Sequence, residues 1–251
     1  MSALPSKRSH IYSRDGLLLS ARYFPPEHPC TAAVICVHGY RGEGLHDHAH
    51  NVLRYHEMGY AVLLPDHRAH GESEGKLICF GAKEAEDLRL WCRHLTDDLG
   101  FEKLLLHGVS MGASAVVIAA SGNTAGLCGA VSDCAYTSGR DMFAYVAKQM
   151  LRLPLFPLLN MTLLAARIFC GADLKKRSPI EAVKKASVPL LFIHGTEDKF
   201  VPTEMAHRLY SACKSEKRLL LFEHAHHAES AELEPKRYYG EIAAFMKKVG
   251  M

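Results

Sequence analysis

The pentapeptide Gly-Val-Ser-Met-Gly at positions 108–112 constrains this chain more than any other feature. An apolar run at 104–106 precedes it and small or branched residues at 113–120 follow it, which predicts a buried strand, a sharp turn and a helix. In that context G-x-S-x-G predicts a strained turn that only small neighbours can surround, with its serine presented at the end of the strand. An ordinary Gly-Ser turn is the alternative. The intact strand-turn-helix context favours Ser110 as a nucleophile.

Strands and helices alternate along most of the chain. The first two predicted strands flank Gly16 and form a hairpin, and the later strands are short apolar runs that are typical of a sheet covered on both faces. The alternation predicts an α/β fold with a mostly parallel sheet and helices on both faces. The eight predicted strands are 9–13, 17–24, 32–37, 60–64, 104–107, 127–131, 188–193 and 218–222, and the main helices are 45–58, 82–98, 113–120, 203–213 and 232–249.

One long segment interrupts the alternation. About fifty residues, 137–187, stand where a short crossover would suffice, and apolar side chains dominate their middle. We interpret the segment as a small helical cap over the carboxyl ends of the strands, inserted into a single domain of residues 1–251. An amphipathic element that touches lipid, with Arg152 and Arg167 at its edges, is the alternative. The interruptions at Pro154 and Pro157 favour a lid over an acyl pocket.

Composition excludes several classes of protein. A net charge of +3 without long basic runs argues against a nucleic-acid partner, and the eight cysteines show no regular spacing, so a reducing cytoplasm is expected. The N-terminal residues lack the apolar stretch of a secretory signal. The longest charge-free run, 153–166, is too short and too broken by proline to span a bilayer, so no stable membrane insertion is expected.

The chain also offers partners for a nucleophilic serine. A serine hydroxyl attacks effectively only when a base removes its proton, and the base needs an orienting carboxylate. Asp198 follows the predicted strand 188–193, and a histidine cluster, His224, His226 and His227, follows the last predicted strand. This gives the order serine, acid, histidine that a G-x-S-x-G hydrolase requires.

With these residues the chain resembles the α/β-hydrolase superfamily, in the branch of serine esterases, lysophospholipase-like proteins and prolyl-oligopeptidase-type hydrolases. The resemblance covers almost the whole chain. Each motif is weak alone, but five in the right order, each after a predicted strand, are specific. The motifs are His38-Gly39, Asp66-x-Arg68-x-His70-Gly71-x-Ser73, Gly108-x-Ser110-x-Gly112, His194-Gly195-x-x-Asp198 and His227-Ala228-Glu229-Ser230.

The resemblance implies an α/β-hydrolase fold with Ser110 as nucleophile, Asp198 as orienting acid and His227 as base. It also implies an oxyanion hole formed by the backbone N–H groups of Tyr40 and Met111. The histidine segment departs from the family pattern Gly-x-Gly-His-x-x-Ser, since His224 and His226 occupy the glycine positions. The Ala-Glu-Ser tail aligns His227 with the base, and leaves the other two as loop residues or partners of the site.

Two alternatives concern other residues. Asp133, after the strand that follows Ser110, is an alternative orienting acid, because some relatives place the acid there; a role in a turn or in the pocket lining is favoured. His46 and His50 share one helix face and could bind zinc, but no third ligand stands at a recognisable spacing. A polar helix start near the pocket is favoured, and no metal or cofactor is expected.

The sequence therefore predicts a serine hydrolase that cleaves carboxylic esters of short to medium acyl or aryl groups through an acyl-enzyme. Action on short peptides or amides, and lysophospholipase or thioesterase activity, are the alternatives within the class. A non-catalytic ligand-binding member of the fold is the alternative outside it. A small-molecule ester is the expected partner, and a homodimer is left open.

Overall fold

The computed structural model describes residues 4–251, and these contain one sheet of eight strands in the order β1-β2-β4-β3-β5-β6-β7-β8. Strand β2 runs antiparallel to both its neighbours and the other pairs are parallel. This confirms the predicted fold class. The strands are β1 Lys7–Tyr12, β2 Leu18–Phe24, β3 Ala32–Val37, β4 Ala61–Pro65, β5 Lys103–Val109, β6 Leu127–Asp133, β7 Leu190–Gly195 and β8 Lys217–Phe222.

The helices match the predicted ones except at two places. The predicted helix 82–98 is α-helical only to Arg93 and continues as one π-helical turn, His94–Asp98. The predicted helix 232–249 is two helices, because Pro235 has no N–H to bond to the preceding turn and starts a new helix instead. The helices are α1 Gly44–Glu57, α2 Glu84–Arg93, α3 Met111–Ala119, α4 Gly139–Tyr145, α5 Leu158–Phe169, α6 Pro179–Ala182, α7 Thr203–Ala212, α8 Ser230–Leu233 and α9 Pro235–Lys248.

The core lies on both faces of the sheet. Strand β3 is buried throughout, and its side chains alternate: Ile35 packs with the apolar residues of α2 and α3, whereas Val34 packs with those of α1 and α9. Trp91 is the largest fully buried side chain on the first face and Tyr55 on the second. Burial of each such residue stabilises the fold by roughly 1.5–3 kcal/mol. The two cores hold the carboxyl ends of β3, β5, β6 and β7 at one edge.

The segment 137–187 contains α4, α5 and α6. Helix α5 packs on the body through Leu163 and Ala166, which contact a small cluster around Cys79 and Leu174. Most of its other apolar side chains are exposed. The role of this segment as a lid over an acyl pocket stays a prediction.

The cysteines and the helices can be compared with what the composition predicts. All eight cysteines are free thiols, and six of them are buried. In the part of the chain that the structure describes, every helix is too short or too polar to cross a bilayer.

Candidate active site

The chain turns sharply between β5 and α3, and Ser110 lies at the turn with φ 55° and ψ −115°. A positive φ strains any residue that carries a Cβ. The Ser110 N–H donates to the carbonyl of Asp133 on β6 at 2.8 Å. Side chains cannot replace the flanking glycines, since a Cβ on Gly108 would lie 2.5 Å from the Gly112 carbonyl carbon and one on Gly112 would lie 2.2 Å from the Val37 oxygen. The glycines of the pattern thus permit the strained turn at Ser110.

His227 bridges Ser110 and Asp198. Its Nε2 lies 2.9 Å from the Ser110 Oγ, and its Nδ1 lies 2.7 Å from the Asp198 Oδ2. The other carboxylate oxygen, Oδ1, accepts hydrogen bonds from the backbone N–H groups of Phe200 at 2.9 Å and Val201 at 2.8 Å. The structure therefore brings together the three residues that the sequence predicted as nucleophile, base and acid, although they are distant along the chain.

The Asp198 carboxylate is held in its charged form. Burial by itself raises its pKa, but hydrogen bonds from His194 and His227 outweigh burial and lower the pKa well below its usual range. The His194 Nε2 lies 3.3 Å from the Asp198 Oδ2 and 2.8 Å from the Val201 carbonyl. A carboxylate that stays ionised can orient the His227 ring and stabilise its cation.

The two predicted oxyanion donors lie on either side of Ser110. Met111 opens helix α3, and Tyr40 lies on the loop after β3. Among residues 4–251 neither backbone N–H has a hydrogen-bond acceptor. The neighbours of Tyr40 are fixed, because the Gly39 N–H donates to the Asp47 Oδ2 at 2.9 Å and the Arg41 N–H donates to the His70 Nε2 at 3.1 Å.

Asp47 was missed by sequence reasoning, which weighed a metal site at His46 and His50 and favoured a polar helix start near the pocket. Its carboxylate fills the space beneath the loop, so that a Cβ on Gly42 would lie 2.1 Å from the Asp47 Oδ2. The sequence does show glycines in the loop and an acid, Asp47, one helical turn into α1. Their contact could not be predicted, because it depends on how α1 approaches β3.

Buried histidines connect the loop after β3 to the loop after β4. The His38 Nε2 accepts a hydrogen bond from the His67 backbone N–H at 3.0 Å, and its ring lies 4.9 Å from the His70 ring. Burial lowers the pKa of both His38 and His67. These neutral rings pack beneath the loop that carries Tyr40.

Residues of the motif that begins at Asp66 hold the loop after β4 through hydrogen bonds. Arg68 forms a bidentate ion pair with Asp87, with both N···O distances 2.8 Å, and the Ser73 hydroxyl donates to the Asp66 carbonyl at 2.7 Å. These contacts hold the loop after β4 against α2 and the start of the sheet.

Asp133 forms no hydrogen bond to His227 among residues 4–251. It is buried and borders the cleft, and its Oδ2 accepts a hydrogen bond from the Tyr238 hydroxyl at 2.8 Å. Burial raises its pKa to about 6. The Tyr238 hydroxyl also lies 3.0 Å from the His107 Nε2, whose ring bonds through Nδ1 to Tyr55 at 2.8 Å. Asp133 thus ends a buried polar chain beneath the turn.

The remaining histidines lie at the rim. His224 bonds to the Glu197 carboxylate at 2.9 Å, and His226 bonds to the Glu197 carbonyl at 3.1 Å. His46 and His50 line the cleft in front of Ser110. In the described part of the chain, only Cys134, Asp198 and His227 lie close enough together to hold a metal ion, and two of these are already hydrogen-bonded to each other.

The cleft in front of Ser110 has a volume of about 780 Å³, and its lining combines polar side chains with apolar surface, including Phe200 and Tyr40. No residue of the segment 137–187 lines it. Outside the cleft, Phe80 stacks on Tyr40 at 5.9 Å and meets Phe143 edge-on at 4.7 Å. The polar side chains of the cleft include Glu43, His46, Asp47, His50, Asn51, Glu229, Glu232 and Tyr239.

Known proteins are similar to the chain over most of its length. The uncharacterized protein YqkD of Bacillus subtilis (strain 168) is 29% identical over 230 residues, which are 89% of this chain and 74% of YqkD. The monoglyceride lipase of Homo sapiens is 25% identical over 258 residues, which cover 89% of this chain and 84% of the lipase.

Solved structures give the same fold. The esterase Pf2001 of Pyrococcus furiosus superposes with a TM-score of 0.79 at 23% identity, covering 98% of this chain and 91% of the esterase. The model of the family described as serine hydrolase (FSH1) matches residues 30–231. This range is most of the chain and includes Ser110, Asp198 and His227. The chain therefore has the α/β-hydrolase fold and belongs to the serine hydrolase (FSH1) family.

Proposed function

We propose that this serine hydrolase cleaves carboxylic esters through an acyl-enzyme, with Ser110, His227 and Asp198 as its catalytic triad. The observation that carries the proposal is the continuous line of hydrogen bonds from the Ser110 Oγ through both nitrogens of His227 to the Asp198 carboxylate, at 2.9 Å and 2.7 Å. In such an arrangement the imidazole can take the proton from the serine hydroxyl at the moment of attack.

The steps follow from this geometry. The Ser110 Oγ attacks the ester carbonyl carbon while the His227 Nε2 takes the hydroxyl proton. The backbone N–H groups of Tyr40 and Met111 stabilise the oxyanion of the tetrahedral intermediate. His227 then gives the proton to the departing alkoxide, which leaves as an alcohol. A water molecule, deprotonated by His227, releases the acid from Ser110.

An ester between an apolar acyl group and a hydrophilic alcohol fits the mixed surface around Ser110. The row Tyr40, Phe80 and Phe143 offers aromatic surface for a short to medium acyl or aryl group. The cleft, which Tyr40 also borders, offers carboxylates, imidazoles and Tyr239 as hydrogen-bond partners for hydroxyl groups. Similarity to a monoglyceride lipase, whose name describes an ester of glycerol, supports this substrate class. The eight free thiols support a cytoplasmic location.

A fluorophosphonate probe tests the nucleophile. We expect stoichiometric labelling of the wild-type protein at Ser110, no labelling of Ser110→Ala, and unchanged labelling of Ser211→Ala, which alters an exposed serine on α7. Labelling of Ser110→Ala would contradict the assignment of the nucleophile. A folded wild-type protein that does not react would instead be a non-catalytic ligand-binding member of the fold.

A matched substrate pair tests the bond that is cleaved. We expect p-nitrophenyl butyrate to be hydrolysed with a kcat/KM at least about a thousandfold above that of butyryl p-nitroanilide, because p-nitrophenolate leaves without protonation whereas the anilide nitrogen has to be protonated before it leaves. Faster cleavage of the anilide would favour the peptidase or amidase alternative.

A further inference from the structure

Exposed apolar side chains are concentrated in one short stretch. Ten of the seventeen large hydrophobic residues that are exposed in the described chain lie within twenty consecutive positions, and Phe156 is 79% exposed. Clusters of this kind are rare on monomeric proteins and mark a surface that another phase or molecule covers. The ten are Met150, Leu151, Leu153, Leu155, Phe156, Leu158, Met161, Leu164, Ile168 and Phe169. We call this set the apolar face.

Helix α5 is apolar on two opposite sides. Its inner side, with Leu159, Leu163 and Ala166, packs on the body of the protein. Its outer side carries Leu164 and Ile168, which are 58% and 65% exposed. A helix that is apolar nearly all round is normally covered nearly all round, and here only the inner side is covered by the chain itself.

The charged side chains within this stretch have one sign, and an acid outside it, Asp173, lies near Arg167. No Asp or Glu occurs between Asp141 and Asp173, whereas Lys148, Arg152 and Arg167 do occur there. These three basic residues are exposed, and within residues 4–251 none of them takes part in an ion pair. The apolar face is therefore bordered by free positive charge.

The combination of exposed apolar side chains and basic residues distinguishes between the partners that could cover this face. A second copy docking through the same face would oppose two surfaces of like charge, with no acid in the stretch to pair with Arg152 and Arg167. An anionic bilayer meets both features, because its acyl region accepts the leucines and phenylalanines while its phosphates attract the basic groups. We propose that the apolar face binds the surface of membranes that contain anionic phospholipid.

Contacts link the apolar face to Ser110. The inner side of α5 shares its small core with Phe80 and Phe143, and Phe80 stacks on Tyr40 at 5.9 Å. Near the other end of the segment the Tyr145 hydroxyl donates to the Lys199 carbonyl at 2.9 Å, directly after Asp198. Docking of the apolar face therefore brings to the lipid surface the helix whose inner side contacts the aromatic row.

Vesicle flotation tests the proposal. The full chain is mixed with vesicles of phosphatidylcholine alone or of phosphatidylcholine with phosphatidylglycerol, and the bound fraction is measured. We expect binding to the mixed vesicles that weakens with salt. The double variant Leu164→Gln/Ile168→Gln should lower the partition coefficient at least about tenfold, and Arg152→Gln/Arg167→Gln should lower it about thirtyfold at low salt.

Tyr12→Gln/Leu233→Gln is the matched control, since Tyr12 and Leu233 are exposed to 70% and 52% outside the apolar face. It should bind as the wild type does. Equal binding to both kinds of vesicle, no binding to either, or an equal loss in the control would overturn the proposal. So would a stable dimer in analytical ultracentrifugation that Leu164→Gln/Ile168→Gln converts to monomer, because the face would then join two copies. None of these readouts uses turnover, so the proposed ester specificity is tested separately.

Discussion

The strand-end loops that hold Ser110 and the stretch from Met150 to Phe169 differ in how their side chains are satisfied. In the loops, polar groups are bonded to other parts of the same chain: Asp198 to His227 and two backbone N–H groups, Gly39 to Asp47, Arg41 to His70. In the stretch, large apolar groups are exposed, and the basic groups beside them have no ionic partner within residues 4–251.

The difference shows what each region is built to do. A reacting group must be held within a fraction of an ångström, so the partners of the loop residues have to lie within the fold. A docking surface needs complementarity to something outside the chain, so its groups are left uncovered in the monomer. The following predictions separate the two regions.

The largest effect is expected at Ser110. Ser110→Ala should lower kcat for p-nitrophenyl butyrate by five to six orders of magnitude, roughly the loss seen when a triad nucleophile is removed. Vesicle binding should not change, because Ser110 does not belong to the apolar face. A variant that retained even a tenth of the wild-type rate would contradict the role of the turn.

The next largest effect distinguishes the two buried acids. Asp198→Asn should lower kcat roughly ten-thousandfold, because the amide cannot stabilise the His227 cation and favours the wrong tautomer of its ring. Asp133→Asn should lower kcat by far less, since Asp133 bonds to Tyr238 and not to His227. Steady-state kinetics of both variants on one ester is sufficient. The reverse order of losses would make Asp133 the orienting acid.

A smaller loss is expected at Asp47, whose contact with the loop after β3 no sequence pattern indicated. Asp47→Ala removes the acceptor of the Gly39 N–H and should shift the adjacent Tyr40 N–H, with a loss in kcat of about a hundredfold and little change in KM. Glu57→Ala, at the other end of α1 and exposed, is the control and should retain nearly full kcat. Equal losses in the two variants would argue for a general effect on α1 rather than on the oxyanion loop.

Most of the fold and the three central site residues were predictable, because they depend on patterns local in sequence. Apolar runs fix the strands, and the glycines around Ser110 are required by the backbone itself, whatever surrounds it. The shared edge of a parallel sheet then brings strand-end residues such as Asp198 and His227 to Ser110.

The contacts that could not be predicted depend on packing between elements. Asp47 reaches Gly39 only because α1 lies close to the end of β3, and no spacing reports that approach. The break at Pro235 was visible as a proline, but the continuing apolar pattern obscured it. The apolar residues from Met150 to Phe169 indicated a cap over an acyl pocket, yet most of them are exposed within residues 4–251.

The pH dependence of stability tests the buried carboxyl beneath the turn. Burial raises the pKa of Asp133 from 3.8 to about 6 in the folded protein. The folded state therefore holds this proton more tightly than the unfolded state does. The resulting stabilisation of the folded state is complete below pH 4 and is lost as pH rises through about 6. The loss amounts to roughly 3 kcal/mol.

Asp133→Asn cannot lose this proton. Its free energy of unfolding, relative to the wild type, should therefore rise by roughly 3 kcal/mol between pH 4 and pH 7. Urea unfolding of both proteins across this range measures the difference. A difference that does not change with pH would mean that Asp133 titrates normally in the folded protein.

The smallest effect separates the two sides of the segment that carries α5. If the aromatic row binds the acyl group, each added methylene contributes about 0.8 kcal/mol, or nearly fourfold in kcat/KM, until the surface is filled at short to medium chains. Phe143→Ala removes one ring of the row and should flatten the rise from p-nitrophenyl acetate through butyrate to hexanoate. Leu164→Gln/Ile168→Gln changes only the outer side of α5 and should leave the rise intact for these soluble esters, although it weakens vesicle binding.

A wild-type profile that is already flat, or one that Phe143→Ala leaves unchanged, would show that the segment takes no part in acyl recognition. A profile flattened by the outer variant alone would show that the side we assign to the membrane binds the substrate itself.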